Sequence, residues 1–158
     1  MRTRFLTRGA LIGALYVLIS LAVAPFGSGL IQMRLSEALC VLPWFTSAAI
    51  PGLFLGCLLS NLLTGAVVYD VIFGSLATGL AALYTYVLRR RGCSKWLAPL
   101  PAVIINALVV GYLLAYVYQV GVPLPLCVLS VAAGQAAACY GLGMPLLGFL
   151  EKQTRLFN

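Results

Sequence analysis

The stretch "SEALCVLPWFTSAAIPGLFLGCLLSNLLTG", Ser36 to Gly65, decides how this chain folds. It is almost entirely apolar, yet two proline positions punctuate it. Pro43 falls inside an apolar run from about Ser36 to Ile50 and predicts a kink there. Pro51–Gly52 then predicts a turn. The next run, "LFLGCLLSNLLTG", falls short of the roughly 20 apolar residues needed to cross a bilayer. A short helix interrupted by polar residues belongs inside protein, where a binding site can also lie.

The rest of the chain sets the solvent. Its 158 residues are 63% hydrophobic and only 8% charged, with a mean hydropathy of +1.07. A soluble domain of this size needs more charge to cover its surface. The reading is an all-α integral membrane protein. Besides these two runs, apolar segments extend from about Arg8 to Ala24, Tyr69 to Leu88, Ala98 to Tyr118 and Pro125 to Leu150. That predicts a single domain, a bundle of six transmembrane helices spanning residues 1–158. The first helix carries no small-x-small cleavage site before polar sequence, so it reads as retained rather than as a signal peptide.

A formal net charge of +7 in a soluble protein would point to nucleic acid, but here the positions decide otherwise. Arg2, Arg4 and Arg8, then Arg89, Arg90, Arg91 and Lys95, then Lys152 and Arg155 cluster between apolar segments. With six helices and both termini cytoplasmic, every basic residue except Arg34 lies inside, as the positive-inside rule requires. No basic stripe with interleaved aromatics exists, which argues against nucleic acid. Five cysteines without a CxxC pair and the absence of histidine argue against a zinc site. Neither a Walker loop nor a GxSxG elbow is present. ATP-driven transport would therefore need partner subunits.

Few residues remain that need a reason. Of the three acids, Glu151 sits among basic residues and reads as solvated. Glu37 and Asp70 each open an apolar segment at its external end. Each would complement a helix dipole, and Glu37 has Arg34 at i−3 for a pair. A carboxylate at the edge of hydrocarbon is also a functional candidate. Asn61, Asn106 and Gln135 add amides that donate and accept at once, as interhelical ties or as contacts to a heterocycle. Phe26, Trp44, Tyr69, Phe73 and Tyr140 could cover a planar ligand or belong to the membrane belt. On the first helix, Gly9 and Gly13, then Ala10 and Ala14, form small-xxx-small pairs. These serve either packing within the bundle or docking onto another membrane subunit.

The blocks "LIQMRLSEALCVLPWFTSAAIPGLFLGCLLSN" (Leu30–Asn61), "DVIFGSLATGLAALYT" (Asp70–Thr85) and "WLAPLPAVIINALVVGYLL" (Trp96–Leu114) resemble the QueT family. These are substrate-binding subunits (S components) of energy-coupling factor (ECF) transporters for queuosine precursors. The resemblance covers nearly the whole chain. It implies a bacterial cell-membrane protein with six helices and cytoplasmic termini. It also implies two cytoplasmic ATPases and a transmembrane coupling subunit as partners, with ATP used by those partners and no cofactor on this chain. Ala10 and Ala14 match the small-residue docking surface of such subunits. One position departs: Gly134–Gln135 stands where the family stretch carries an acid after the glycine.

The implied ligand is a 7-deazaguanine such as preQ1, preQ0 or queuine. Its ring N–H and 2-amino group form a donor edge that one carboxylate, Glu37 or Asp70, can accept in a fork. Asn106 or Asn61 would meet the ring carbonyl, and Arg34 would orient Glu37 or touch the ligand directly. The glycine-containing loop from Pro25 to Arg34 reads as a gate. Alternatives are an S component for another vitamin or nucleobase, a self-sufficient carrier, or an intramembrane enzyme using Glu37 and Asp70 as a dyad.

Overall fold

A computed structural model describes residues 2–24 and 34–153. Phe26 and the gate segment 25–33 lie outside the described residues, leaving Arg34 as the loop's described end. Every regular element among those described is helical. They are α1 (Arg2–Val23), a 3-10 helix (Leu35–Trp44), α2 (Ala49–Leu63), α3 (Asp70–Arg90), α4 (Leu100–Tyr116) and α5 (Leu124–Lys152). A one-turn 3-10 helix, Lys95–Leu97, leads into α4. Four helical stretches are long and apolar enough to cross a membrane: Thr3–Val23, Asp70–Arg90, Lys95–Tyr116 and Leu124–Lys152.

The stretch Ser36–Gly65 divides differently from the sequence expectation. The run does not continue to Ile50 through a kink at Pro43. It ends at Trp44, and the chain turns at Phe45 to Ser47. Pro51–Gly52 is not a turn either, but lies in the first turns of α2. Early in a helix proline is tolerated, because its missing N–H would have had no partner. Gly52 is required there by a close approach. A Cβ built on it would lie 2.6 Å from the Gly9 carbonyl oxygen of α1.

The 3-10 helix is the centre of the molecule. Ser36 through Trp44 are all buried, so it has no face for lipid. With a rise of about 2 Å per residue, its length is about 20 Å despite few residues. Around it α1 packs on α2, α2 on α3, α3 on α4 and α4 on α5. A π-helical segment of α5, Cys139–Gly143, closes back on the 3-10 helix. A Cβ on Gly143 would meet the Ala38 carbonyl at 3.1 Å. Leucines such as Leu6, Leu11, Leu18 and Leu129 stay exposed on the outside, where a lipid-facing surface needs no polar cover.

The two ends differ in chemistry. At one, Lys95 bridges Glu151 at 2.8 Å and the Arg89 guanidinium lies 5.5 Å from the centre of the Trp44 ring. At the other, Ser20 of α1 donates to Ser36 at 2.8 Å, and Arg34 meets Asp70. The basic segment after α3 thus meets the end of α5, away from the Arg34–Asp70 pair.

Candidate functional site

The 3-10 helix presents Glu37 to the interior, and the residue is fully buried. Four donors from four elements converge on its carboxyl oxygens. Tyr16 of α1 donates to Oε1 at 2.6 Å and Thr78 of α3 to the same oxygen at 3.2 Å. Cys40, one 3-10 turn on, donates to Oε2 at 2.8 Å, and Asn106 Nδ2 of α4 at 3.1 Å. Four donors match the roughly four lone-pair sites of a carboxylate, and none of these donors is charged. Glu37 therefore ties together α1, α3, α4 and its own helix.

The i,i+3 spacing of Arg34 and Glu37 does not make them a pair. In a 3-10 helix such residues eclipse one another, but Arg34 precedes the helix in an extended conformation, with φ −82° and ψ 90°. Its side chain turns to Asp70 instead, with Nη2 at 2.9 Å from Oδ2. Tyr118, in the chain after α4, donates to the same Oδ2 at 3.2 Å. Burial first, and then the nearby Asp70 charge, push the Tyr118 phenol up and keep it a donor. This corrects the expectation that Arg34 orients Glu37: it holds Asp70.

Asp70 opens α3 with a π-helical segment, Asp70–Gly74. Asn61, near the end of α2, donates Nδ2 to the Asp70 carbonyl at 3.2 Å and approaches Cys57 Sγ at 3.7 Å. Thr78 reaches Cys57 at 3.5 Å as well as Glu37. Cys139 Sγ contacts the Glu37 carbonyl at 3.4 Å and Gln135 Oε1 at 3.7 Å. Glu37, Asp70, Asn61, Asn106 and Gln135, drawn from five elements, thus belong to one continuous buried polar network. Among the described residues two of its atoms have no hydrogen-bond partner, Asp70 Oδ1 and Asn106 Oδ1. Leaving a buried acceptor unmatched costs about 1–3 kcal/mol, so each of these oxygens is an acceptor open to a further donor, from a water or a ligand.

The described aromatic candidates, Trp44, Tyr69, Phe73 and Tyr140, do not join this network. Tyr69 and Phe73 are 56% and 48% exposed on the outer surface. Trp44 is buried at the basic end with Val41, Ala98 and Leu147, and Tyr140 donates to the Trp96 carbonyl at 3.1 Å. Sequence reasoning missed Tyr16, Thr78, Cys40, Cys57, Cys139 and Tyr118. Tyr16 was within reach of it, because Gly9, Ile12, Gly13 and Tyr16 share the one buried face of α1 at helical spacing. The cysteines read as small buried hydrophobes, and those on the network are indeed buried. No group of three or more Cys, Asp or Glu is placed to hold a metal ion among the described residues.

The small residues of α1 divide between two jobs. Gly9 and Gly13 are buried against α2, where a Cβ would come within 3.1 Å of Ala48 O and 3.0 Å of Gly52 O. Gly56 faces Gly13 and Tyr16 as closely from the other side. Ala10 and Ala14 stay exposed and line an apolar groove of 720 Å³ with Leu55, Leu59 and their neighbours.

Four long apolar helices around a buried network holding two acids describe a multi-pass membrane protein with a polar interior. No curated protein and no solved structure matches the chain. A family model does: residues 6–152 match the model described as QueT transporter. The chain belongs to the QueT transporter family, a family of transporters rather than of enzymes.

Proposed function

We propose that the chain is the substrate-binding subunit, or S component, of an ECF transporter importing a queuosine precursor. The ligand is a 7-deazaguanine such as preQ1, preQ0 or queuine. Membership of the QueT transporter family supports the reading. The observation that carries it is the pair of buried acceptors, Asp70 Oδ1 and Asn106 Oδ1, without partners among the described residues, on the network that also holds Glu37. A 7-deazaguanine offers adjacent N–H donors on its ring edge, and such donors satisfy orphaned acceptors. Asn61, Gln135 and Arg34 complete the surround by holding Asp70 and the π segment of α5. The donors on Glu37 are those a ligand would exchange with if it reached that carboxyl.

In this proposal six helices form one domain across the bacterial cell membrane. The 3-10 helix passes through it inside the bundle and α2 beside α1 with one face outward, contrary to the expectation that this short helix lies inside protein, and both termini lie with the basic end in the cytoplasm. Ala10 and Ala14 dock on a transmembrane coupling subunit, and two cytoplasmic ATPases supply the energy. The chain itself uses no cofactor.

Calorimetry on the detergent-purified chain tests the reading, with preQ1, preQ0, queuine, guanine, biotin and riboflavin as ligands. Tight binding of a deazapurine, weakened in Glu37→Gln and Asp70→Asn, is the expected result. Binding of biotin or riboflavin with none of the deazapurines would refute the substrate class.

A further inference from the structure

Three cations at the basic end are exposed and make no ion pair or side-chain hydrogen bond among the described residues: Arg90, Arg91 and Lys152. They come from two places in the chain, and the fold joins them. α3 runs into Gly92, whose φ of +71° is left-handed, and the Gly92 and Cys93 N–H groups return to the Arg89 and Leu88 carbonyls at 3.0 and 3.1 Å. A left-handed glycine at a helix end turns the chain sharply. α5 then holds the returning segment by two ties: Lys95 to Glu151 at 2.8 Å, and Tyr140 to the Trp96 carbonyl at 3.1 Å. Lys152 follows Glu151 directly, so the bridge brings its stretch of α5 to the loop after Arg90 and Arg91. The charge there is one-sided. Of the chain's three acids, Glu37 and Asp70 are buried in the network, and Glu151 already meets Lys95. Beside the patch Trp96 is 63% exposed, with Leu97 and Leu100 exposed as well.

Asp70–Arg90 is long and apolar enough to span a bilayer, which sets Arg90 and Arg91 where hydrocarbon gives way to headgroups. Tryptophan concentrates at that same level. A guanidinium matches phosphate oxygens with paired N–H donors, and a cluster of basic residues next to a membrane-spanning helix attracts anionic lipid. We infer that this patch binds the phosphate headgroup of an anionic phospholipid, with Arg90, Arg91 and Lys152 toward the phosphate and Trp96 toward the acyl region. The headgroup of a zwitterionic lipid carries its own cation and gains less. An acidic protein would satisfy the charge but would leave Trp96, Leu97 and Leu100 without apolar cover. The inference needs only that α3 spans a membrane, so it stands apart from what the chain transports.

The test is native mass spectrometry of the full chain, released from detergent micelles holding equal amounts of phosphatidylglycerol and phosphatidylcholine. The wild type is expected to retain phosphatidylglycerol roughly tenfold over phosphatidylcholine. Excess inorganic phosphate should displace no more of it than chloride at the same ionic strength. Greater displacement by phosphate would make the patch a site for the free anion and overturn the inference. In the double variant Arg90→Gln, Arg91→Gln the preference should fall towards parity, with the melt unchanged because neither side chain is tied. A preference of undiminished size in that variant overturns the inference. So does equal retention of both lipids by the wild type, which would leave an acidic protein surface as the partner. Should the double variant show no melting transition, Lys152→Gln decides: its preference must drop, and an unchanged one overturns the inference.

Discussion

Glu37 shows how a buried acid is accommodated when its near neighbour in sequence is engaged elsewhere. Its two oxygens receive Tyr16, Thr78, Cys40 and Asn106, so any change that turns an oxygen into a donor sets N–H against O–H, S–H or N–H. Glu37→Gln is therefore expected to destabilise the chain by about 1–3 kcal/mol, seen as a lower melting temperature in detergent by intrinsic fluorescence. Tyr16→Phe removes one donor and leaves the carboxyl three, so its cost should be about 1 kcal/mol. Glu151→Gln breaks only the exposed bridge to Lys95 and should leave the melt within about 0.5 kcal/mol of wild type. A melt for Glu37→Gln indistinguishable from that of Glu151→Gln would show that the four donors do not hold the bundle together. The candidate acids and amides were legible because a polar side chain in an apolar run is conspicuous. The partner of Arg34 was not: Asp70 lies far along the chain, and nothing in local spacing reports that the residue before a 3-10 helix turns its side chain away.

At the scale of the elements, the long helices were legible and the central one was not. α1, α3, α4 and α5 announce themselves by length and hydropathy, with ends displaced by a few residues. The 3-10 helix is buried on every side, so its apolar residues carry no period from which its geometry can be read. The same all-round burial hid where it ends, and Pro51–Gly52 looked like a turn because the sequence cannot show α1 lying against Gly52. That contact makes a prediction. Gly52→Ala forces α1 and α2 apart, since the Gly9 carbonyl is backbone and has no rotamer to change. It should cost about 1–3 kcal/mol as overpacking. Gly148→Ala, in a helix with nothing within 4 Å of the new Cβ, should be neutral or stabilising by about 0.5–1 kcal/mol. Thermal melts of the two variants side by side check the pair. Equal effects would mean that the glycine edge does not set the α1–α2 distance.

At the scale of the whole molecule, orientation and docking can be read from single surface positions. Cys93 lies in the loop after α3 and is partly exposed, whereas the other four cysteines are buried. With the basic end in the cytoplasm, a membrane-impermeant maleimide should leave Cys93 unlabelled in intact cells and label it after permeabilisation. Labelling in intact cells would invert the proposed topology. The groove beside Ala10 and Ala14 then opens along a membrane-embedded face of α1 and α2. Its floor is fixed by Gly9 and Gly13 against α2, so a bulky residue at Ala14 fills the groove without entering the bundle. Ala14→Trp should therefore melt like wild type and bind the same ligand with the same affinity. Yet uptake by cells that express the coupling subunit and ATPases should be lost. Leu129→Trp, on the exposed surface of α5, provides the control and should leave uptake intact. Normal uptake by Ala14→Trp would remove α1 from the docking surface. Accumulation by vesicles holding this chain alone would go further, because a lone chain that concentrates its ligand needs no partner to drive it.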